Sequence, residues 1–214
     1  MRFTIHDMAQ RSDEWFALRL GKLTGSCAKD MLATIKSGEA AGRRNLRVRL
    51  MLERITGKSQ EDSYTNAAMQ RGIDCEPLAL AAFEMRTGLL AMACGFVSLD
   101  GLPVGCSPDG YCGEWADLVS LKCPNSATHL GYIQNGGMPS EYVPQMLHEL
   151  WVTGAQRYHF LSFDDRFPEE LHTFYVCVER DEQAVLDYAD KAKAFLQDVD
   201  REVASVRGLM ERVA

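Results

Sequence analysis

The chain has 214 residues, of which 46% are hydrophobic and 25% are charged, a composition typical of a globular protein with a sizeable core. No apolar run approaches the roughly 20 residues that a membrane-spanning helix needs, and the first residues lack the apolar core of a signal peptide. The seven cysteines contain no Cys-x-x-Cys pair, so neither a zinc ribbon nor a disulfide framework is indicated. We therefore expect one cytoplasmic domain over residues 1–214, with reduced cysteines.

The net charge of −7 argues at first sight against a nucleic-acid partner. The charge is unevenly distributed, because residues 164–214 contain thirteen acids and seven bases and so carry −6 of the total. A basic run in the remaining part has two interpretations, a solvated helix face or contact with phosphate groups. The run consists of Arg43, Arg44, Arg47, Arg49, Arg54 and Lys58.

Residues 7–35 predict a helix, a turn and a second helix. Ser12 is a suitable N-cap, because acids follow it in the first turn and Trp15 lies on an apolar face. Residues 20–26 then interrupt the helix and restart it at a serine or threonine cap. A helix start of this kind presents free backbone N–H groups to an anion, and Arg19 immediately precedes the break. A plain helix cap and an anion site are both compatible with this segment.

A loop, two helices and two strands are expected next. Residues 36–42 predict a polar loop, which is followed by a helix over residues 45–55 that ends at Gly57. A second helix is expected from Pro77, near its start, to Gly88, at its end. Short apolar strands are then predicted over residues 89–99 and 102–106.

The segment 106–124 carries the most informative pattern. Asp109 follows a proline, and Lys122 ends an apolar alternation that returns after a short turn, so a hairpin would place the two side chains side by side. A carboxylate binds hard cations through oxygen, and a nearby ammonium group can orient a nucleophile. The pair therefore indicates phosphodiester cleavage at a divalent cation.

The last third of the chain completes an α/β pattern. Residues 142–154 have the spacing of a helix that places Gln145 and Glu149 on one face. We interpret His148, on the same helix, as a structural or surface residue, because the expected cation takes oxygen ligands. Two strands and one or two amphipathic helices should follow, over residues 157–163, 173–178 and about the last forty positions.

Pro108-Asp109 followed by Ser120-Leu121-Lys122 resembles the PD-(D/E)XK nuclease motif. From Trp15 to residues 180–182, the chain is similar to the phage lambda exonuclease and YqaJ-type alkaline exonuclease family, with matching segments in the same order. The resemblance implies a restriction-endonuclease-like α/β core with a central mixed β-sheet flanked by helices. It also implies an Mg²⁺-dependent, processive 5′-to-3′ exonuclease that acts on double-stranded DNA ends and leaves 3′ single strands.

The resemblance also implies roles for individual positions. Asp109 would bridge two Mg²⁺ ions, for which Mn²⁺ can substitute, and Lys122 would position the attacking water. The further metal ligands would be Glu76, the residue at position 120 and the backbone carbonyl of Leu121. The 5′-phosphate would be bound by Arg19, Ser26, Ser107 and Gln145. DNA contacts would come from Arg43, Arg44 and Met69, the last as a wedge between the first base pairs unless it simply fills the core.

Ser120 departs from the family pattern, which has an acid two residues before the lysine. A hydroxyl is a poor replacement for an ionised carboxylate as a magnesium ligand. Three explanations are open: a deliberate substitution that keeps the substrate bound and uncut, a natural variant with weak activity, or a nearby acid such as Asp117 or Glu114 that takes over. We favour the first, because the residues around position 120 fit the pattern, and we expect activity to be impaired.

The implied partners are a 5′-phosphorylated duplex end, two further copies of the chain in a homotrimeric ring, and a single-strand annealing protein. The implied setting is the cytoplasm of a bacterial host, with a gene of phage or prophage origin and no membrane contact. Two alternatives remain. The chain could be a non-catalytic DNA-end-binding partner of an annealing protein, or an endonuclease of the same fold.

Overall fold

The computed structural model describes residues 2–60 and 67–213. In chain order, its strands are β1 (Phe3–His6), β2 (Leu23–Thr24), β3 (Phe96–Leu99), β4 (Val104–Cys106), β5 (Gly110–Cys112), β6 (Asp117–Lys122), β7 (Arg157–Phe163) and β8 (Thr173–Glu179). Its α-helices are α1 (Asp13–Arg19), α2 (Ala28–Met31), α3 (Ala41–Thr56), α4 (Ala67–Thr87), α5 (Ser126–Asn135), α6 (Val143–Thr153) and α7 (Glu182–Val213). Short 3-10 turns lie at Gly25–Cys27, Ser140–Tyr142 and Glu169–Leu171.

The strands form two mixed four-stranded sheets, with the orders β1-β3-β4-β2 and β5-β6-β7-β8. The predicted α/β class is confirmed, but the strands divide between two sheets instead of forming a single central one. The chain leaves the first sheet after Cys106 and enters the second at Gly110. Pro108 lies between them and has no N–H to donate to a ladder, which explains why the pairing stops there.

The second sheet is covered on both faces. Because side chains alternate along a strand, Leu118 of β6 joins Tyr158 and Phe160 of β7 in the main core, which α6 and α7 also line. Val119 and Leu121 point to the opposite face, where α4 packs against the sheet in a second cluster. The strand end that carries Lys122 therefore lies between two helical layers.

Helix α4 begins ten residues before the predicted start, so the placement of Pro77 near the amino terminus of the helix was wrong. Proline inside a helix removes one backbone hydrogen bond and costs about 3 kcal/mol. Packing outweighs this cost, because Cys75, Ala79 and Phe83 all bury their side chains against the second sheet. The strand predicted over residues 89–99 is also shorter than expected, since only Phe96–Leu99 pairs as β3.

Helix α7 is one continuous helix, and its predicted apolar stripe is buried from Val185 to Val203. Within the described ranges, no helix has both the length and the apolar character that crossing a bilayer requires. The cysteines of the chain are free thiols, as the sequence indicates.

Candidate active site

Asp109 and Lys122 lie side by side, as the hairpin pattern predicts. Asp109 directly precedes β5, which pairs with β6 in an antiparallel ladder. The backbone N–H of Leu121 donates a 2.7 Å hydrogen bond to Asp109 Oδ2, and Lys122 Nζ lies 3.4 Å from the same oxygen. Burial alone would lower the pKa of Lys122, but the charges of Asp109 and Glu149 outweigh it and raise that pKa. The lysine therefore stays an ammonium group.

The carbonyl of Leu121 faces the same side of β6 as its N–H group, because both groups of a strand residue point toward one neighbouring strand. On that side the β5–β6 ladder ends at the pair Gly110 and Val119. Leu121 lies beyond this end, and its N–H group bonds the Asp109 carboxylate instead of another strand. A carbonyl oxygen on this side is placed to join Asp109 around a cation.

Glu76 approaches this pair from α4. Burial raises the pKa of Glu76, and the negative charge of Asp109 raises it further, whereas Arg11 and Lys122 act in the opposite direction. Arg11 Nη2 lies 3.6 Å from Glu76 Oε2. The two carboxylates are thus close enough to repel each other, which is the electrostatic setting that a divalent cation relieves.

Trp15 connects two of the predicted phosphate-binding residues. Its indole N–H donates a 2.8 Å hydrogen bond to Ser107 Oγ, and the guanidinium carbon of Arg19 lies 4.0 Å from the centre of the indole ring. Arg19 also lines a small cleft with Lys22, Thr24 and Arg49. A cleft with several cationic side chains beside a hydroxyl is suited to an anion.

Ser26 and Gln145 belong to neighbouring turns. Ser26 is exposed, and its hydroxyl lies 3.2 Å from that of Thr24. A Cβ atom added at Gly25 would come within 3.3 Å of Gln145 Cγ and 3.1 Å of Glu149 Oε1, so this turn packs directly on α6. A larger residue at position 25 would crowd both side chains, which favours glycine. Of the predicted phosphate-binding residues, Ser107 and Arg19 both contact Trp15, and the turn that carries Ser26 packs against Gln145.

Position 120 is buried and polar. Ser120 is 1% exposed, and its hydroxyl faces that of Tyr158 but makes no hydrogen bond of good geometry in the described part of the chain. Asp117 does not fill the position, because it lies on the opposite face of β6 and is bound by Arg157 and by His159, at 2.5 and 2.8 Å. Glu114 does not fill it either, since it is exposed in the hairpin turn at the other end of β6.

The sequence did not single out two buried residues next to this position, Glu149 and Tyr158. Burial raises the pKa of Glu149 to about 7, with Asp109 acting in the same direction and Gln145 and Lys122 opposing it. Burial also raises the pKa of Tyr158, and the charge of Glu149 adds to this effect. The helical spacing correctly placed Glu149 on the Gln145 face, and Gln145 Nε2 donates a 2.8 Å hydrogen bond to it. The burial of Glu149 depends on tertiary packing, which helical spacing does not reveal.

The residues present fit a divalent cation only in part. Among the described residues, no three histidine, cysteine, aspartate or glutamate side chains are close enough together to form a metal site. Asp109 and Glu76 are nevertheless carboxylates that repel each other, and one oxygen of the buried Glu149, Oε2, makes no hydrogen bond of good geometry within the same part of the chain. A carboxylate oxygen left without a donor is the type of group that Mg²⁺ binds.

Three of the six residues in the predicted basic run contact the acidic carboxy-terminal helix, an arrangement that neither interpretation of the run anticipated. Arg43 contacts Asp198 at 3.3 Å, Arg47 pairs with Glu202, and Arg54 contacts Asp200 at 2.6 Å. Arg44 is exposed. The side chain of Met69 lies outside the described residues, so its predicted wedge role keeps the status of a prediction.

His148 is a structural residue, in agreement with one of its two interpretations. Its ring nitrogens lie 2.8 Å from the hydroxyl of Tyr188 and 2.9 Å from the carbonyl oxygen of Gly105. A carbonyl oxygen only accepts, so Nε2 carries the proton and Nδ1 accepts from the tyrosine. Burial lowers the pKa of His148 to about 4, which keeps the ring neutral.

Comparison with known proteins identifies relatives of the same fold. The chain is 34% identical to the alkaline exonuclease LHK-Exo from Laribacter hongkongensis, with a TM-score of 0.86 over 95% of this chain and 100% of that one. The same exonuclease in complex with dAMP superposes with a TM-score of 0.87. A phage-related exonuclease from Haemophilus somnus 129PT, 14% identical, shares the fold with a TM-score of 0.69 over 86% of this chain and 96% of its own.

A shorter match also exists among curated proteins. ExoD of Escherichia coli (strain K12) is 29% identical over 68 residues, which are 31% of this chain and 76% of that protein. The family model of the YqaJ-like viral recombinase domain matches residues 14–156, a range that contains Arg19, Glu76, Asp109, Lys122 and Gln145. The chain belongs to the YqaJ-like viral recombinase domain family and is similar to the alkaline exonuclease LHK-Exo over 95% of its length.

Proposed function

We propose that the chain is a DNA exonuclease that removes nucleotides from the 5′ strand at double-stranded ends and leaves 3′ single strands. Family membership supports the exonuclease activity, and LHK-Exo, named as an alkaline exonuclease, aligns over its whole length. The observation that carries the proposal is the placement of Asp109 against both the Leu121 N–H group and the Lys122 ammonium group. This arrangement suits hydrolysis of a phosphodiester.

We propose that the cofactor is a pair of Mg²⁺ ions, which Mn²⁺ can replace. Their ligands would be Asp109, Glu76 and the Leu121 carbonyl. When bound, the metal would acidify a water and offset the charge on the leaving oxygen. Lys122 would orient the attacking water, and its ion pair with Asp109 keeps its amino group protonated. The backbone of β6 fixes the orientation of the Asp109 carboxylate.

End dependence would come from the phosphate-binding residues. Arg19, held against Trp15, and Ser107, bonded to the same indole, would bind the terminal 5′-phosphate together with Ser26 and Gln145. Binding of the terminal phosphate sets the distance to the scissile bond, so that one nucleotide is released at each step. Arg44 would contact the incoming duplex, and Arg43 would contribute only if it leaves Asp198.

The proposal extends to the assembly. One exonuclease domain over residues 1–214 would form a ring of three around the duplex and pass the 3′ strand to a single-strand annealing protein, in the bacterial host of a phage or prophage. Alignment of LHK-Exo with 95% of this chain supports the single domain. Light scattering in solution tests the ring, with three times the mass of one chain as the expected result.

The experiment that tests the function compares a linear 5′-phosphorylated duplex with the covalently closed form of the same plasmid, in the presence of Mg²⁺. We expect nucleotides to be released only from the linear DNA, and no release by Asp109→Asn. Nicking of the closed circle would identify an endonuclease of the same fold. Glu141→Gln is the matched control, because Glu141 bonds Tyr132 and takes no part in the proposed site.

Ser120 favours one alternative, a protein that binds DNA ends without cutting them. Its buried hydroxyl stands where the family pattern has an acid, so strand β6 contributes one negative charge fewer to the proposed metal site. A binder and a weak enzyme would both retain a 5′-phosphorylated duplex. They differ in the Ser120→Glu variant, in which strong digestion identifies an impaired enzyme and continued inactivity identifies a binder.

A further inference from the structure

We propose that Glu149 on α6 supplies the cation-binding carboxylate that position 120 lacks, so that the acid of the site has moved from the strand to the facing helix. This inference rests on the proposed function, because it assigns a ligand to the same metal site. Asp117 and Glu114, the acids that the sequence suggested as replacements, are both placed elsewhere.

Glu149 is buried without a complete set of partners. It is 1% exposed, and only its Oε1 atom accepts a hydrogen bond from a side chain, the 2.8 Å bond from Gln145. Its Oε2 atom makes no hydrogen bond of good geometry among the residues that the structure describes, although the Tyr158 hydroxyl faces the carboxylate. A buried carboxylate is strongly unfavourable unless it is protonated, paired or bound to a metal, so this oxygen is a candidate cation ligand.

Two buried hydroxyl groups, those of Ser120 and Tyr158, lie next to Glu149. Ser120 follows Leu118 by two residues on the same face of β6, and Leu118 is the register partner of Tyr158 on β7. Tyr158 is therefore diagonal to Ser120, on the face of the sheet that α6 covers. The Tyr158 hydroxyl faces both the Ser120 hydroxyl and the Glu149 carboxylate, but in the described part of the chain neither hydroxyl makes a hydrogen bond of good geometry. Such a cluster is typical of a site whose polar ligand is absent.

The charges around Glu149 identify the ligand as a cation. Glu149 lies within electrostatic reach of both the Asp109 carboxylate and the Lys122 ammonium group. A divalent cation held jointly by Asp109 and Glu149 would stabilise both ionised carboxylates, and serine at position 120 leaves room for it because its side chain is shorter than that of glutamate.

The location of Glu149 also connects the metal to the phosphate-binding turn. A Cβ atom at Gly25 would lie 3.1 Å from Glu149 Oε1, and Gln145 bonds the same oxygen. Gln145 thus orients the Glu149 carboxylate, and the turn that contains Ser26 packs against Gln145. A ligand here would hold the cation next to the bound 5′-phosphate.

The test measures Mn²⁺ binding by calorimetry in the absence of DNA, with the full chain and its variants. We expect Glu149→Gln to weaken Mn²⁺ binding at least about tenfold, the effect of removing a metal ligand or its support. In Ser120→Glu the strand carboxylate is restored, so adding Glu149→Gln to this variant should change the affinity by less than about threefold. Glu141→Gln, which removes an acid eight residues earlier, should bind like the unaltered chain.

Three results would overturn the inference: equal Mn²⁺ affinity in the unaltered chain and Glu149→Gln, equal losses with and without Ser120→Glu, or no Mn²⁺ binding by the unaltered chain. Thermal unfolding in EDTA checks that each variant folds. If Glu149→Gln does not fold, Glu149→Asp replaces it, and unchanged affinity in that shorter variant also overturns the inference. Failure of the proposed function has a different signature, because neither the unaltered chain nor Ser120→Glu would then digest linear DNA.

Discussion

The carboxylate of Asp109 is held by the backbone of Leu121, whose N–H group donates a 2.7 Å hydrogen bond to Oδ2. The acid at the start of β5 is thereby fixed to the strand that carries Lys122. A side chain oriented by a backbone group does not need to reorganise when substrate binds, which favours catalysis. The geometry of the candidate site is therefore a consequence of the β5–β6 hairpin register.

Replacement of Asp109 by asparagine separates charge from geometry. The amide oxygen can still accept from the Leu121 N–H group, but the cation loses a ligand and Lys122 loses the carboxylate that raises its pKa. We expect nucleotide release to fall at least about 100-fold, the size of effect seen for one preorganised electrostatic group. Release of acid-soluble nucleotide from linear DNA measures it. Unchanged activity would place the chemistry elsewhere.

Removal of the Arg19 guanidinium should affect the choice of DNA end. We expect Arg19→Ala to lower the ratio of rates on 5′-phosphorylated and 5′-hydroxyl ends about tenfold, because a hydrogen bond between charged groups contributes roughly 1.5–3 kcal/mol. Trp15→Phe keeps a ring for Arg19 but loses the bond to Ser107, so its effect should be smaller. Lys29→Ala, an exposed base on α2, is the control. A ratio unaffected by Arg19→Ala would remove this residue from the phosphate site.

The two arginines at the start of α3 should behave differently. Arg43 donates to the Met31 carbonyl at 2.7 Å, pairs with Asp198 and lies 4.8 Å from the centre of the Phe195 ring. Arg43→Ala should therefore lower the free energy of unfolding by about 1–2 kcal/mol. Urea denaturation measures this change.

Arg44 is exposed, and Arg44→Ala should leave the free energy of unfolding unchanged. It should weaken DNA binding and reduce the salt dependence of the binding constant by about one unit, as expected for the loss of one phosphate contact. Binding isotherms at several salt concentrations measure the slope. An unchanged slope would exclude Arg44 from the DNA interface.

His148 should make the fold sensitive to acid. Its pKa is lowered from 6.5 to about 4 by burial, so between these values the unfolded chain binds the proton more readily than the folded one. The neutral His148 ring makes its full contribution to the free energy of unfolding above pH 6.5. This contribution, on the order of 3 kcal/mol, is lost as the pH falls toward 4. The raised pKa of Glu149 acts in the opposite direction over part of this range, so one protein alone does not isolate the effect.

The effect of His148 is isolated by the difference in the free energy of unfolding between the unaltered chain and His148→Gln, both in EDTA. Glutamine can donate to Gly105 and accept from Tyr188 without titrating, so the free energy of unfolding of the variant should fall less between pH 6.5 and 4. His172→Gln is the control, because that ring bonds the Phe167 carbonyl and is only partly buried. Parallel pH curves for His148→Gln and the unaltered chain would contradict the assignment.

The sequence predicted the parts of the site that are local. Asp109 and Lys122 are thirteen residues apart, and a proline, a turn and an alternating strand were enough to bring them together. The start of α4 could not be predicted, because packing against the second sheet overrides the local effect of Pro77. The pairing of Arg43 with Asp198, across 155 residues, also depends on how α3 and α7 pack.

Glu149 shows the same limit at the site itself. Its helical face was predictable from the spacing to Gln145, but its burial opposite Ser120 depends on α6 covering β6 and β7. A polar residue in a helix is normally taken as exposed, and only the tertiary structure reveals it as a buried carboxylate. The replacement of a strand acid by a helix acid leaves no signal in a motif that is read along one segment.

The most direct measurement follows the release of label from a linear duplex that carries ³²P at its 5′-phosphate or at its 3′ end, in Mg²⁺ and with the closed circle present. The account predicts early release of the 5′ label as a mononucleotide, a delayed release of the 3′ label, an intact circle, and loss of all release in Asp109→Asn. Early release of the 3′ label, or cutting of the circle, would contradict it.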